Sequence, residues 1–208
     1  MTSAESIFDS TCQASAPFYV CDETTITWGL VLSYGSNEAS ASIFAFYRDD
    51  QPDSRGRRLA DILERNDEWL EHTHDYVPFV FPLPEPSGSN RDAPPLDNET
   101  IAAFRASEVM RDRLRSAYLR MLRFYGLRER TWHVEKGENW DDRKAKWATV
   151  PMHYNIRITR ILRSMCLLGL RSEAEAFKGC LIRLAQLDRH CDFDKRALAN
   201  WHEATAEV

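Results

Sequence analysis

The clearest pattern in the chain is the recurrence of apolar residues every three or four positions, which is typical of amphipathic helices. Gly126 and Gly169 directly follow two of the periodic segments, and glycine at such positions commonly ends a helix. The pattern predicts an all-α fold, an irregular multi-helix bundle in which short connections favour antiparallel neighbours. The predicted helices span residues 57–71, 97–105, 107–125, 139–148, 153–169, 172–189 and 194–205.

Two other segments interrupt this helical pattern. Residues 77–95, VPFVFPLPEPSGSNRDAPP, are rich in proline, which blocks helices and lacks a backbone donor. Because this segment is also apolar, we expect it to lie extended across the bundle, with Phe79, Phe81 and Leu83 buried as anchors. Residues 128–137 are predicted to be a polar linker, and any β-strand is expected within residues 1–50.

The first 42 residues lack a sustained period and are rich in Ser, Thr and Ala. We expect residues 1–42 to be an N-terminal extension, partly disordered or wrapped around a domain of residues 43–208. No apolar run is long enough to span a membrane, and the N-terminus does not resemble a signal peptide. Five cysteines without a paired motif indicate reduced thiols, with Cys166 and Cys180 buried. These features predict an intracellular protein.

Charge is distributed unevenly along the chain. Residues 1–104 carry 6 Lys and Arg against 18 Asp and Glu, a charge of −12, whereas residues 105–208 carry 21 against 14, a charge of +7. The second half could offer a basic surface to nucleic acid, and the helix predicted over 107–125 holds five arginines. Alternatively, the two halves neutralise each other across one core. We favour neutralisation, because both halves contribute apolar residues to that core.

Known catalytic motifs are missing from the sequence, so it predicts no enzyme, no cofactor and no metal site. The segment Glu71-His72-Thr73-His74-Asp75-Tyr76 is the one candidate for acid–base or metal chemistry, but two histidines spaced two apart share a helical face poorly. We interpret His74 and Asp75 as hydrogen-bonding the end of the first helix to the proline-rich segment. An unrecognised enzyme using them together with Arg157 and Arg160 is the alternative.

The helix predicted over residues 153–169 carries a polar stripe opposite its apolar one. His153, Arg157, Arg160 and Ser164 recur at the spacing of a single helical face. Guanidinium groups bind carboxylates and phosphates with two hydrogen bonds, so this stripe could hold a ligand. The other interpretation is that the arginines pair with carboxylates of the acidic first half.

Two blocks of sequence resemble the conserved N-terminal region of the opioid growth factor receptor family. The first contains Phe46-Tyr47, His74-Asp75-Tyr76 and Phe79-Val80-Phe81-Pro82-Leu83, and the second is the segment HYNIRITRILRS over residues 153–164. The chain departs from the family pattern at Val77-Pro78-Phe79, where the family usually has Ile-Gln-Trp.

The resemblance implies a receptor-like, non-enzymatic module whose family activity is opioid growth factor peptide binding and growth regulation. We therefore expect a peptide or protein ligand in a groove where the two blocks meet, with nucleic acid as the alternative partner. Any membrane association is expected to be peripheral. The candidate ligand contacts are His74, Asp75, Tyr76, His153, Asn155, Arg157, Arg160 and Ser164.

Overall fold

A computed structural model describes residues 38–148 and 153–206, including the side chains of residues 42–148 and 155–206. Most of the predicted extension over residues 1–42 lies outside this part of the chain. In chain order the elements are α1 (Glu38–Tyr47), α2 (Leu59–Glu64), α3 (Asp67–His72), α4 (Val77–Val80), α5 (Asn98–Ala106), α6 (Glu108–Phe124), β1 (Leu127–Arg130), β2 (His133–Lys136), α7 (Trp140–Trp147), α8 (His153–Leu167), α9 (Arg171–Leu187) and α10 (Lys195–Ala206).

The predicted all-α architecture is confirmed, and the six helices predicted after residue 96 begin and end within two residues of their predicted bounds. Local chemistry sets these ends. The Asp97 carboxylate accepts a hydrogen bond from Thr100 N at 2.7 Å and caps α5, while Ser107 caps α6 through Met110 N. Gly126 follows α6 with a φ of 74°, a conformation that costs glycine little.

The single helix predicted over residues 57–71 is wrong, because the chain forms two short helices there. Arg65 leaves the helical conformation at φ −59° and ψ 147°. Asn66 Oδ1 then accepts a hydrogen bond from Trp69 N at 2.9 Å and starts α3. An asparagine side chain that bonds to nearby backbone in this way competes with helix continuation, although the apolar period runs through the break.

The polar linker predicted over residues 128–137 is also wrong, as is the restriction of strands to residues 1–50. Strands β1 and β2 form an antiparallel hairpin in which Leu127 pairs with Lys136 and Arg130 pairs with His133. Leu127 and Val134 are buried, whereas Arg128, Arg130, His133 and Lys136 are exposed. With one buried apolar residue in each strand, the alternation is too short to distinguish a strand from a linker.

Residues 77–83 of the proline-rich segment are buried, but the first four of them are not extended. Residues Val77–Val80 form one helical turn, α4, with Pro78 in the first turn, where a missing N–H costs no hydrogen bond. From residue 81 to residue 97 the segment is non-helical, and Leu96 N bonds back to Leu83 O at 3.0 Å. Phe79, Phe81 and Leu83 are all buried, which confirms them as anchors.

A continuous apolar core joins both halves of the chain, and α8 packs against α9 and α10. Ion pairs also link the acidic first half to the basic second half, as the neutralising interpretation expected: Arg113 to Asp49, Arg120 to Asp67, Arg143 to Glu71 and Arg163 to Glu85. Cys166 and Cys180 are free and buried, as predicted. Within the described part of the chain, no helix has the length and apolar character needed to cross a bilayer.

Phe81→Ala should lower the free energy of unfolding by about 3–5 kcal/mol, because it removes a large ring from a site with 0% exposure. Urea unfolding measures the change. The control, Val109→Ala at a position that is 58% exposed, should stay within about 0.5 kcal/mol of the wild type. A loss below about 1 kcal/mol for Phe81→Ala would show that the segment is peripheral to the core.

Candidate ligand-binding groove

The two sequence blocks meet in space, because the polar stripe of α8 lies against the proline-rich segment. Arg160 Nε donates to Phe81 O at 2.8 Å, and Ser164 Oγ donates to Pro82 O at 2.9 Å. One turn earlier, Arg157 Nη1 donates to Leu70 O at the end of α3, at 3.0 Å. The partners of the stripe in these bonds are therefore backbone carbonyls of the first block.

These bonds meet a requirement that the segment itself creates. The carbonyls of residues 80–82 are buried and are not part of a longer helix or a sheet. Tyr47 Oη bonds to the carbonyl of Val80, so that three consecutive carbonyls each receive a side-chain donor. A buried carbonyl left without a donor costs about 1–3 kcal/mol. The α8 stripe is thus first of all a set of structural donors.

Four of the predicted site residues are buried, and of these only Arg157 is among the residues that line the groove described below. Ser164 and Tyr76 are almost fully buried, and burial raises the pKa of Tyr76 to about 12. Asn155 uses its backbone carbonyl to accept from Thr159 Oγ1 at 2.7 Å. Arg157 is 5% exposed, with its guanidinium 5.4 Å from the centre of the Phe124 ring. These residues shape the site more than they face a ligand.

Asp75 has ion-pair partners of its own. Its carboxylate lies 2.8 Å from Arg57 Nη1 and 3.3 Å from Arg55 Nε. Its backbone carbonyl accepts from Asn90 Nδ2 at 2.8 Å, and Asn90 belongs to the proline-rich segment. This bond supports the interpretation that the cluster after α3 ties that helix to the segment.

Between the segment and α8 lies an open groove of about 640 Å³. His74, Arg157 and Arg160 line it, whereas the side chain of His153 lies outside the described part of the chain. Among the described residues that line the groove, none is acidic. Its apolar wall is formed by Val77, Leu83, Pro86 and Ile156, and its polar wall includes Ser87, Ser89, Thr159, Arg163 and Asn200.

Arg160 differs from Arg157 in having part of its guanidinium available to the groove. Its Nε is bonded to Phe81 O, while no hydrogen bond or ion pair among the described residues uses its two Nη nitrogens. Burial lowers the pKa of Arg160 to about 10, which leaves the group charged at neutral pH. The nearest acidic influence is Glu85, which bonds to Arg163 Nη2 at 2.6 Å.

Sequence reasoning missed two exposed apolar residues. Ile156 is 72% exposed on the rim of the groove, four residues before Arg160 on α8. An isoleucine on the polar side of an amphipathic helix was a signal that could have identified it. Trp132 is 89% exposed at the turn of the β1–β2 hairpin. Its exposure was missed because residues 128–137 were interpreted as a linker.

Comparison with known proteins establishes the family. Residues 37–199 match the model described as the opioid growth factor receptor (OGFr) conserved region. The chain belongs to this family. The match covers both blocks that form the groove, and it includes all eight predicted site residues. No solved structure matches the chain.

Curated relatives of the family carry receptor names and are much longer. The human opioid growth factor receptor is 38% identical over 133 residues, which are 60% of this chain and 18% of that protein. The mouse receptor is 37% identical over 148 residues, 67% of this chain and 22% of that protein. Mouse opioid growth factor receptor-like protein 1 is 36% identical over 118 residues, 56% and 24% of the two chains. The matches thus span less than a quarter of each of these relatives.

Ser164→Ala should lower the free energy of unfolding by about 1–3 kcal/mol, because the buried carbonyl of Pro82 loses its donor. Ser116→Ala is a matched control, since Ser116 also donates to a carbonyl, that of Asp112, but on an exposed face of α6. The control should change stability by less than about 0.5 kcal/mol in the same urea titration. Equal stabilities of the two variants would contradict the structural role of the stripe.

Proposed function

We propose that this chain is a receptor-like, non-enzymatic module that binds a peptide or protein segment in the groove between the proline-rich segment and α8. The observation that carries the proposal is the pairing of exposed Ile156 with the anchored, partly available guanidinium of Arg160. The groove volume falls within the range of about 300–1,000 Å³ that is common for ligand sites. The relatives' names, opioid growth factor receptor, support peptide binding and a part in growth regulation and signalling.

The mixed lining of the groove suits a peptide. An extended peptide offers backbone donors and acceptors together with side chains of varied polarity. Thr159, Asn200 and the exposed Ser89 supply polar partners, while Val77 and Leu83 supply apolar contact. A purely apolar cavity would lack the polar partners, and a purely charged surface would lack the apolar contact.

An enzyme that uses His74 and Asp75 with the arginines has less support. Acid–base chemistry needs a positioned group with a suitable pKa within hydrogen-bonding reach of the reacting atoms. Asp75 is held in ion pairs with Arg57 and Arg55, and it is not among the residues that line the groove. The relatives are named as receptors and not as enzymes.

Nucleic-acid binding through the basic second half also has less support. Three arginines of α6 lie within 4 Å of carboxylates of the same chain: Arg113 of Asp49, Arg115 of Glu129 and Arg120 of Asp67. A nucleic-acid surface instead presents unneutralised cations to phosphates.

The free, buried thiols fit the reducing interior of a cell. We therefore place the module inside the cell, with any membrane contact peripheral.

Ile156→Glu should weaken peptide binding at least about tenfold, because it places a charge on the apolar wall of the groove. The probe is a fluorescein-labelled peptide selected on the wild-type chain from a random 12-residue library, and fluorescence polarisation gives its Kd. Leu187→Glu is the matched control, since Leu187 is 80% exposed but lies away from the groove, at the end of α9.

The two variants should have melting temperatures close to that of the wild type, since both positions are exposed. Leu187→Glu should leave the Kd within about twofold of the wild-type value. Failure to select any peptide, or equal Kd values for Ile156→Glu and the wild type, would refute binding in this groove.

A further inference from the structure

The guanidinium of Arg160 is held in one orientation. Its Nε–H points to Phe81 O, and that carbonyl belongs to a fully buried residue of the segment. Fixing Nε leaves the edge formed by the two Nη groups as the part that a ligand can meet. A carboxylate matches such an edge, because its two oxygens accept parallel N–H bonds from a planar guanidinium.

The charge around Arg160 favours an anion. Among the described residues lining the groove, every charged or titratable side chain is basic: His74, Arg157, Arg160 and Arg163. The nearby carboxylate of Glu85 already bonds to Arg163. Arg160 is also partly buried, and a partly desolvated cation attracts an opposite charge more strongly than an exposed one.

The charges around Arg160 favour a ligand group with one negative charge over a group with two. Glu85 acts on Arg160 electrostatically, so it also repels any anion that approaches that guanidinium. A phosphate group carries up to two charges and three acceptor oxygens, whereas the two Nη groups of Arg160 form a single edge with two parallel donors. A carboxylate needs a single guanidinium, and the groove offers one whose orientation is already set.

The position of Ile156 indicates which kind of carboxylate fits. Residues four apart on a helix are surface neighbours, with Cβ atoms about 5–6 Å apart, so Ile156 and Arg160 adjoin on α8. The last residue of a peptide carries a free carboxylate and a side chain on the same Cα, which matches this adjacency. An aspartate or glutamate places its carboxylate at the end of its side chain, so the apolar contact must come from another residue.

We propose that the groove recognises the free C-terminus of a peptide or protein segment that ends in an apolar residue. Arg160 binds the terminal carboxylate through its Nη groups, and the last side chain packs on Ile156 with Val77 and Leu83 behind it. This inference rests on the proposed function and narrows its ligand to one chemical class.

The test uses hexapeptide pools labelled with fluorescein at the N-terminus. One pool ends in Leu or Phe as the free acid, a second has the same ends as C-terminal amides, and a third is an amide pool with Glu at the fifth position. Fluorescence polarisation with the wild-type chain should give at least about tenfold tighter binding for the free acids than for either amide pool. This comparison needs no variant of the protein.

Variants of the chain then test the role of Arg160. Arg160→Gln should remove the preference for free acids, and Arg160→Lys should reduce it, because lysine keeps the charge but loses the planar pair of donors. Arg130→Gln is the control, and it should preserve the preference, because Arg130 is exposed on β1 and does not line the groove. Circular dichroism checks that each variant is folded.

Three results would overturn the inference, and they separate its failure from that of the proposed function. If acids and amides bind equally and Ile156→Glu still abolishes binding, the groove binds peptides but does not recognise the C-terminus. Glu-containing amides that bind as tightly as the free acids would show that any carboxylate suffices. No binding of any pool would refute both proposals.

Discussion

The buried carbonyls of residues 80–82 place the strongest constraint on this fold. The segment that carries them is too apolar to leave the core, and its prolines limit the regular structure that could satisfy its backbone. Donors therefore come from other elements, with Tyr47 from α1 and Arg160 and Ser164 from α8. These bonds fix the distance between α8 and the segment, and the groove is the space left beside them.

This constraint resolves the two interpretations that the sequence leaves open for the α8 stripe. The arginines were expected to serve either internal carboxylates or a ligand. Instead, Arg157 and Arg160 bond to backbone carbonyls of the other block, which is an internal role of a different kind. Because a guanidinium has five N–H donors, Arg160 can hold the carbonyl of Phe81 and still offer donors to the groove. One residue thus joins the stability of the fold to the proposed recognition of a carboxylate.

Much of the fold could be predicted because its signals are local. The cap at Asp97 and the helix end at Gly126 are set by single residues, and the apolar stripe of α8 repeats over several turns. The break at Asn66 could not be predicted, because the apolar period continues past it while the Asn66 side chain bonds to the backbone and starts a new helix. The side-chain partners of buried carbonyls could not be predicted either, because hydrogen bonds such as that from Arg160 to Phe81 span long distances in sequence. The exposure of Ile156 depends on which neighbours pack around α8, so only the structure shows it.

The central claim is that Arg160 Nε–H is bonded to a buried carbonyl and is thereby held in place for a ligand. Exchange of the Nε–H groups with water, followed by ¹⁵N-edited NMR on the ligand-free chain, tests this most directly. The Nε–H signal of Arg160 should exchange much more slowly than that of Arg130, whose side chain is 66% exposed. Equally fast exchange of the two signals would show that the bond to Phe81 does not hold in solution, and it would contradict the account.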